Sequence, residues 1–329
     1  MSQGEEGALH RPRTGVAESA AALYIGLIAL IARASGLYFI LFPELGALGH
    51  DILKRPEGTW ARAPVMLIVT PLLTAVVGTL IARDLPYGLP SVLLDIGCSV
   101  LAISVLRSPI APAISAGLLP LILGIRSFWY PPSLLIGTGL LAFVAVLRFW
   151  LSAPGASAAR VSQDVLDDEV EEAPRGLNWI PFFLVFLILT FAASDVTGWR
   201  FVLFPPLVVI GFEAFAHPAA CPWAARPIAL IVACGLTAAA GVLCVALLGT
   251  GPIAAMCSIL AASLVLCVLD LHVPPALAVG LLPFVMAHPS FRFPLAVLVG
   301  TGIETAVFLT WRRFARSLAP ADTKARLNV

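Results

Sequence analysis

The stretch PVMLIVTPLLTAVVGTLI, residues 64–81, runs eighteen residues without a charge. Apolar runs recur near 17–32, 36–50, 64–83, 88–106, 109–125 and 131–150. They return near 178–194, 200–215, 227–247, 252–271, 274–288 and 294–311. A helix needs roughly 20 apolar residues to cross a bilayer. In lipid, every backbone amide must be bonded inside its own helix or in a closed barrel. These runs are too long and too uniformly apolar for the alternating strands of a barrel. The expected fold is therefore all-α, a polytopic helical membrane protein. Composition agrees: 60% of residues are hydrophobic and only 12% charged, where a soluble domain carries about 25%. A net charge of +1 with no basic patch argues against nucleic acid as a partner.

The two sets of six runs resemble each other. LYFILFPEL (37–45) answers WRFVLFPPL (199–207), TWARAP (59–64) answers PWAARP (222–227), and SAGLLPLIL (115–123) answers AVGLLPFVM (278–286). Gly137-Thr138-Gly139 answers Gly300-Thr301-Gly302, and from Trp60/Trp223 onward the offset stays at 163. A constant offset through several matches is the mark of an internal repeat. The expected organisation is a tail (1–16), a first membrane repeat (17–151), a linker (152–177), a second repeat (178–312) and a basic tail (313–329). The first 16 residues lack the pattern of a secretory signal and read as a disordered cytoplasmic tail. The linker carries six acids between 152 and 176 and reads as solvated.

Segments two and five of each half are short and carry prolines, which leaves re-entrant hairpins as an alternative to crossings. Lysine and arginine decide between them. If all six cross from a cytoplasmic N-terminus, fifteen basic residues fall inside and five outside, as the positive-inside rule requires. The expectation is thus about twelve transmembrane segments in two parallel repeats, in a plasma (inner) membrane, with both termini cytoplasmic.

No catalytic or nucleotide-binding motif is present. The six cysteines form no CxxC pair and read as small hydrophobes, so neither a metal nor a cofactor is expected. The chemistry must then lie in polar groups at membrane depth. Asp95 and Glu304 sit within spans and Glu44 follows a proline break, so all three are candidates for proton or gating roles. Glu304 falls where the first repeat has Leu141. Arg62, Arg107, Arg226 and His272 precede proline-started segments and could attract an anion near helix N-termini. Arg107 and His272 stand before corresponding proline turns. Pro43, Pro205 and Pro206 are expected to break segment two. Pro112, Pro274 and Pro275 are expected to open a short helix at the cytoplasmic face.

His272 with Pro274-Pro275, Arg226 with Pro227, and FVLFPPL (201–207) make the second half resemble the HPP family of integral membrane proteins, with His-Val-Pro-Pro in place of His-Pro-Pro. That resemblance implies a transporter, with nitrite-like anions as one cargo. More loosely, the six-segment half resembles the plan of fusaric-acid-resistance and aromatic-acid exporters and of malate-type anion channels. The functional expectation is a transporter or channel for a small anion, nitrite-like or organic, with its path between the repeats. The alternative is a non-transporting sensor or assembly partner acting through the linker. Lipid and a small solute or ion are the expected partners, and a homo-oligomer is compatible with the sequence.

Overall fold

The computed structural model describes residues 11–151, 168–171 and 176–318. Residues 1–10 and 319–329 of the expected tails, and linker positions 152–167 and 172–175, lie outside the described residues. The helices are α1 (Arg11–Ser35), α2 (Leu45–Lys54), α3 (Pro64–Asp84), α4 (Leu89–Leu106), α5 (Ala113–Leu123) and α6 (Tyr130–Leu151). The second half contributes α7 (Ile180–Thr197), α8 (Pro205–Ala216), α9 (Pro227–Leu248), α10 (Pro252–Val268), α11 (Pro274–Leu281) and α12 (Arg292–Leu318). Among the described residues there is no strand. Two expected boundaries move. Helix α1 already begins at Arg11, inside the presumed tail, and α12 continues past residue 312 to Leu318.

Seven helices are long and apolar enough to cross a membrane: α1, α3, α4, α6, α7, α9 and α12. They expose apolar side chains outward, for example Leu101, Val105, Leu147 and Leu247. An apolar exterior of this extent is stable only against lipid. The chain is a polytopic helical membrane protein.

Of the five shorter helices, α10 (17 residues) falls just short of that length, and the four shortest, α2, α5, α8 and α11, behave differently. Every residue from Leu45 to Leu53 in α2 is buried, as are Ala113–Ile122, Pro205–Phe215 and Pro274–Leu281. A helix apolar on all sides belongs in a core. At 1.5 Å per residue the ten residues of α2 span only about 15 Å, half a hydrocarbon layer. What precedes each short helix is not helical. Segment two descends through a 3₁₀ turn, Tyr38–Ile40 or Arg200–Leu203, before α2 or α8 starts. Pro205 and Pro206 stand at the first positions of α8, and Pro274 and Pro275 at those of α11. Pro43 lies just before α2, and Pro112 is the N-cap of α5. The prolines open helices where their missing N–H costs nothing; they do not kink continuous ones. Helix α11 is wholly buried within the protein.

Side chains satisfy part of the non-helical backbone before α5, as lipid demands: Ser108 Oγ accepts from the Ile110 amide at 3.2 Å, and Trp60 Nε1 donates to the Pro109 carbonyl at 2.9 Å. Thr74 Oγ1 donates to the Ala113 carbonyl at 2.7 Å, and Thr70 Oγ1 meets Ser108 Oγ at 2.7 Å. Glycines permit the closest crossings. A Cβ on Gly137 would sit 2.6 Å from the Ile40 carbonyl oxygen, and one on Gly300 would sit 2.1 Å from that of Val202.

Helix α3 packs on α4, α5 and α6, and α9 packs on α10, α11 and α12. Between the halves, α2 packs on α11, α5 on α8, and α1 on α10. Each short helix is thus held by a short helix of the other half.

Candidate functional site

The cations singled out in the sequence do not gather. Arg62 is 47% exposed and its Nη2 lies 3.7 Å from Asp168 Oδ2. Arg226 donates through Nη1 to the carbonyls of Leu269 (3.3 Å) and Asp270 (2.9 Å), and to Asp270 Oδ2 at 3.3 Å. It therefore closes the end of α10. Arg107 caps α4 in the left-handed conformation, with φ 48, and is exposed. Its repeat equivalent is Asp270, which shares φ 48. The pairing of Arg107 with His272 is thereby corrected: His272 answers Pro109. Burial, with Lys54, Arg55 and His50 nearby, lowers His272 to about 3. Its imidazole is neutral at ordinary pH and supplies no positive potential.

Nothing in the sequence singles out Arg55, which reads only as one more basic residue. Arg55 is buried. Its Nε donates to Asp51 Oδ1 at 2.7 Å, its Nη1 to Asp168 Oδ1 at 3.3 Å, and its Nη2 to Glu171. Asp168 Oδ1 also accepts from the Thr59 amide at 3.1 Å. Burial, with Asp51 alongside, pushes the Glu171 carboxyl well above its usual range despite Arg55. Residues 168–171 are thus seated on the protein, with Val170 and Glu171 buried, which corrects the reading of this part of the linker as solvated. Val170 and Glu171 help line a hollow with Trp60, Trp223, Glu213 and His272. Trp60 and Trp223 are repeat equivalents, so the hollow lies where the halves meet. Trp60 Nε1 donates to the Pro109 carbonyl at 2.9 Å. The buried Trp223 Nε1 has no acceptor among the described residues.

A second polar group lies deeper, around α5. Glu44, at the N-cap of α2, accepts a 2.6 Å hydrogen bond from Ser115 Oγ in the first turn of α5. Asp95 and Ser99 lie one turn apart on α4 and face Gly117 of α5. A Cβ built on Gly117 would lie 2.6 Å from Ser99 Oγ and 3.1 and 3.2 Å from the Asp95 oxygens. Tyr130 Oη donates to the Ala116 carbonyl at 2.8 Å, and its hydroxyl is within electrostatic reach of both carboxylates. Glu44 is 1% exposed and Asp95 0%. Glu44 Oε2, both Asp95 oxygens and Ser99 Oγ have no hydrogen-bond partner among the described residues.

In the second half, Pro206, Ser258, Ala262, Ala278 and Phe293 occupy the places of Glu44, Asp95, Ser99, Ser115 and Tyr130. Ser258 Oγ donates to the Gly280 carbonyl at 2.7 Å. The packing is otherwise repeated: Phe39 meets Tyr130 edge-on at 5.5 Å, and Phe201 meets Phe293 edge-on at 5.4 Å. Ser99, Ser115 and Tyr130 were missed in the sequence, yet subtracting one half from the other exposes all three.

Glu304 belongs elsewhere. Its Oε2 lies 3.3 Å from Thr305 Oγ1, and its charge reaches Cys221 and Cys234 in the second half. Among the described residues no group of three His, Cys, Asp or Glu side chains could hold a metal ion. Comparison with family models, curated proteins and solved structures returns no match.

Proposed function

We propose that the chain is a transporter or channel for a small anion, with its path between two parallel six-segment repeats that cross the membrane twelve times. The observation that carries this is the hollow between Trp60 and Trp223, at the junction of the halves. Broken helices in membranes are tolerated where they line a cavity, and paired short segments mark transporter binding sites. All four short helices are broken in this way and pack in cross-half pairs. The unpartnered Trp223 indole N–H is a donor for a small oxyanion; Arg55 and Arg62 are held by Asp51, Asp168 and Glu171. Nitrite-like or small organic anions fit this donor. The resemblance to the HPP family points the same way; the bias of basic residues supports cytoplasmic termini, and the plasma membrane is the proposed location.

The test is flux in proteoliposomes holding purified protein, using nitrite and methanesulfonate. Uptake above empty vesicles is expected, falling at least several-fold in Trp223→Phe and Arg62→Ala. Flux unchanged in both variants removes this hollow from the path.

The described part of the linker favours a second reading strongly enough to state. Asp168 and Glu171 grip Arg55 beside the hollow, as a sensor acting through the linker would need. That reading requires that the protein move no solute.

A further inference from the structure

We propose that Glu44 and Asp95, with Ser99, Ser115 and Tyr130, form a proton-binding site that the chain loads and unloads as it carries its anion. The proposal rests on the transporter reading above. Its own basis is the polar cluster around α5, remote in sequence from the linker and present in the first half alone.

The fold does not require these acids. At the same crossing in the second half the same backbone is built from Pro206, Ser258, Ala262, Ala278 and Phe293. Gly117 and Gly280 make the same approach, to Gly78 and Gly241. A helix–helix hydrogen-bond post would serve equally in both halves. At this crossing only the first half bears the cost of two buried carboxyls, and ionisable groups at membrane depth are expensive.

Such a group persists when a proton or a counter-ion neutralises it. No ion pair engages either acid among the described residues. Ionisable groups on the surrounding elements stand apart or are engaged. Tyr130 on α6 bonds the Ala116 carbonyl, and Tyr24 on α1 bonds that of Gly137. Glu18 on α1 pairs with His50 towards the C-terminal end of α2. Arg83 and Asp84 lie at the end of α3, Asp195 near that of α7, and Cys98 is on α4 itself. Glu213 on α8 lines the hollow.

A metal cation fits poorly. Hard cations take about six oxygen ligands, whereas Gly117 faces three, two from Asp95 and one from Ser99. A proton needs one oxygen and no space. The chemistry is simple: an O–H bond forms on a carboxylate oxygen, taking a proton from one side, and breaks to release it on the other. One proton carried with one monovalent anion moves no net charge across the membrane.

The first measurement needs no substrate. Infrared spectra of the reconstituted wild type at neutral pH should show the carbonyl band of a protonated carboxylic acid, unchanged by added sodium. That band should weaken in Asp95→Asn and in Glu44→Gln. A band that shifts on adding sodium, or one undiminished in both variants, overturns the proposal. In the wild type alone, ionised acids at neutral pH would overturn it too, so a variant that misfolds leaves the test intact. The second measurement is accumulation of methanesulfonate driven by an imposed pH gradient. It should be lost in both variants while equilibrium exchange persists. Gradient-driven accumulation retained in both sinks the proton site and leaves the transporter standing. A neutral-acid band in a protein that moves no anion sinks the transporter reading and leaves the proton site standing.

Discussion

The α3–α5 and α9–α11 crossings depend on glycine in a way that can be measured. A Cβ on Gly78 would sit 1.9 Å from the Gly117 carbonyl oxygen and 2.7 Å from its carbon. A Cβ on Gly241 would sit 2.1 Å from the Gly280 oxygen. The obstructing atoms are backbone, so no rotamer change relieves either clash and the helices must separate. Overpacking a tight core costs typically 1–3 kcal/mol and at times more, and contacts this short belong at the upper end, about 3 kcal/mol. Replacing glycine by alanine in an open helix position gains about 0.5–1 kcal/mol instead. Gly97, inside α4, supplies that control, because nothing lies within 4 Å of its Cβ position.

Thermal unfolding of the purified protein in detergent reads the difference. At roughly 2–4 °C per kcal/mol for a chain somewhat smaller than this, Gly78→Ala and Gly241→Ala should each lower the apparent Tm by about 6–12 °C. Gly97→Ala should leave it level or raise it slightly. Equal midpoints for Gly78→Ala and Gly97→Ala would refute the backbone contact and the buried placing of α5 with it.

Other outcomes follow from single contacts. The folded value of His272 lies below the ordinary 6.5, so the unfolded chain binds more protons between these values and stability rises with pH there, by up to about 1.4 kcal/mol per unit. The wild type should therefore lose stability from near pH 6.5 down towards 3, and His272→Asn should lose less; coincident pH profiles would deny the buried neutral imidazole. Asp168→Ala removes the partner of Arg62, one partner of Arg55 and the acceptor for Thr59 N–H, so protease cleavage within the linker should accelerate several-fold in reconstituted protein, and an unchanged rate would mean that the linker is held by other contacts. Arg226→Ala breaks a rim contact with the 89% exposed Asp270 side chain; such pairs contribute about 0–1 kcal/mol, so the melting midpoint should move by no more than a few degrees.

Much of this fold was legible because lipid limits the choices. Uniform apolar runs predicted helices, and seven of them are long enough to span. What failed was the assumption that every apolar run is one helix. Residues 36–44 are nearly as apolar as their neighbours and 107–112 carry a single charge, Arg107, but their proline, glycine and serine positions start helices late. Periodicity cannot distinguish a buried extended stretch from a buried helix. Contacts from Thr70, Thr74 and the carbonyl-facing glycines decide it, and those appear only in three dimensions.

The site was half legible for a related reason. A charge in oil is conspicuous on its own, so Glu44, Asp95 and Glu304 stood out singly, while the serines and Tyr130 that complete the cluster look ordinary in sequence. The arginines misled in the opposite sense: Arg62 and Arg226 resemble a symmetric pair, yet one step of register puts Ala225 in the place of Arg62, and each arginine meets a different local acid. Duplication explains both. Two copies of one packing scheme must agree wherever backbone meets backbone, as Gly78 and Gly241 do, and are free to differ elsewhere. Departures that cluster in space, and that run towards more polar or acidic side chains, are therefore the ones packing alone does not account for. Five such positions surround α5, while Glu304, the other buried acid peculiar to one copy, stands with its own neighbours near Cys221. If the two acids at α5 were packing residues, converting the cluster to its second-half counterpart, Asp95→Ser with Glu44→Pro, would leave gradient-driven transport intact; the proton site requires that it abolish it.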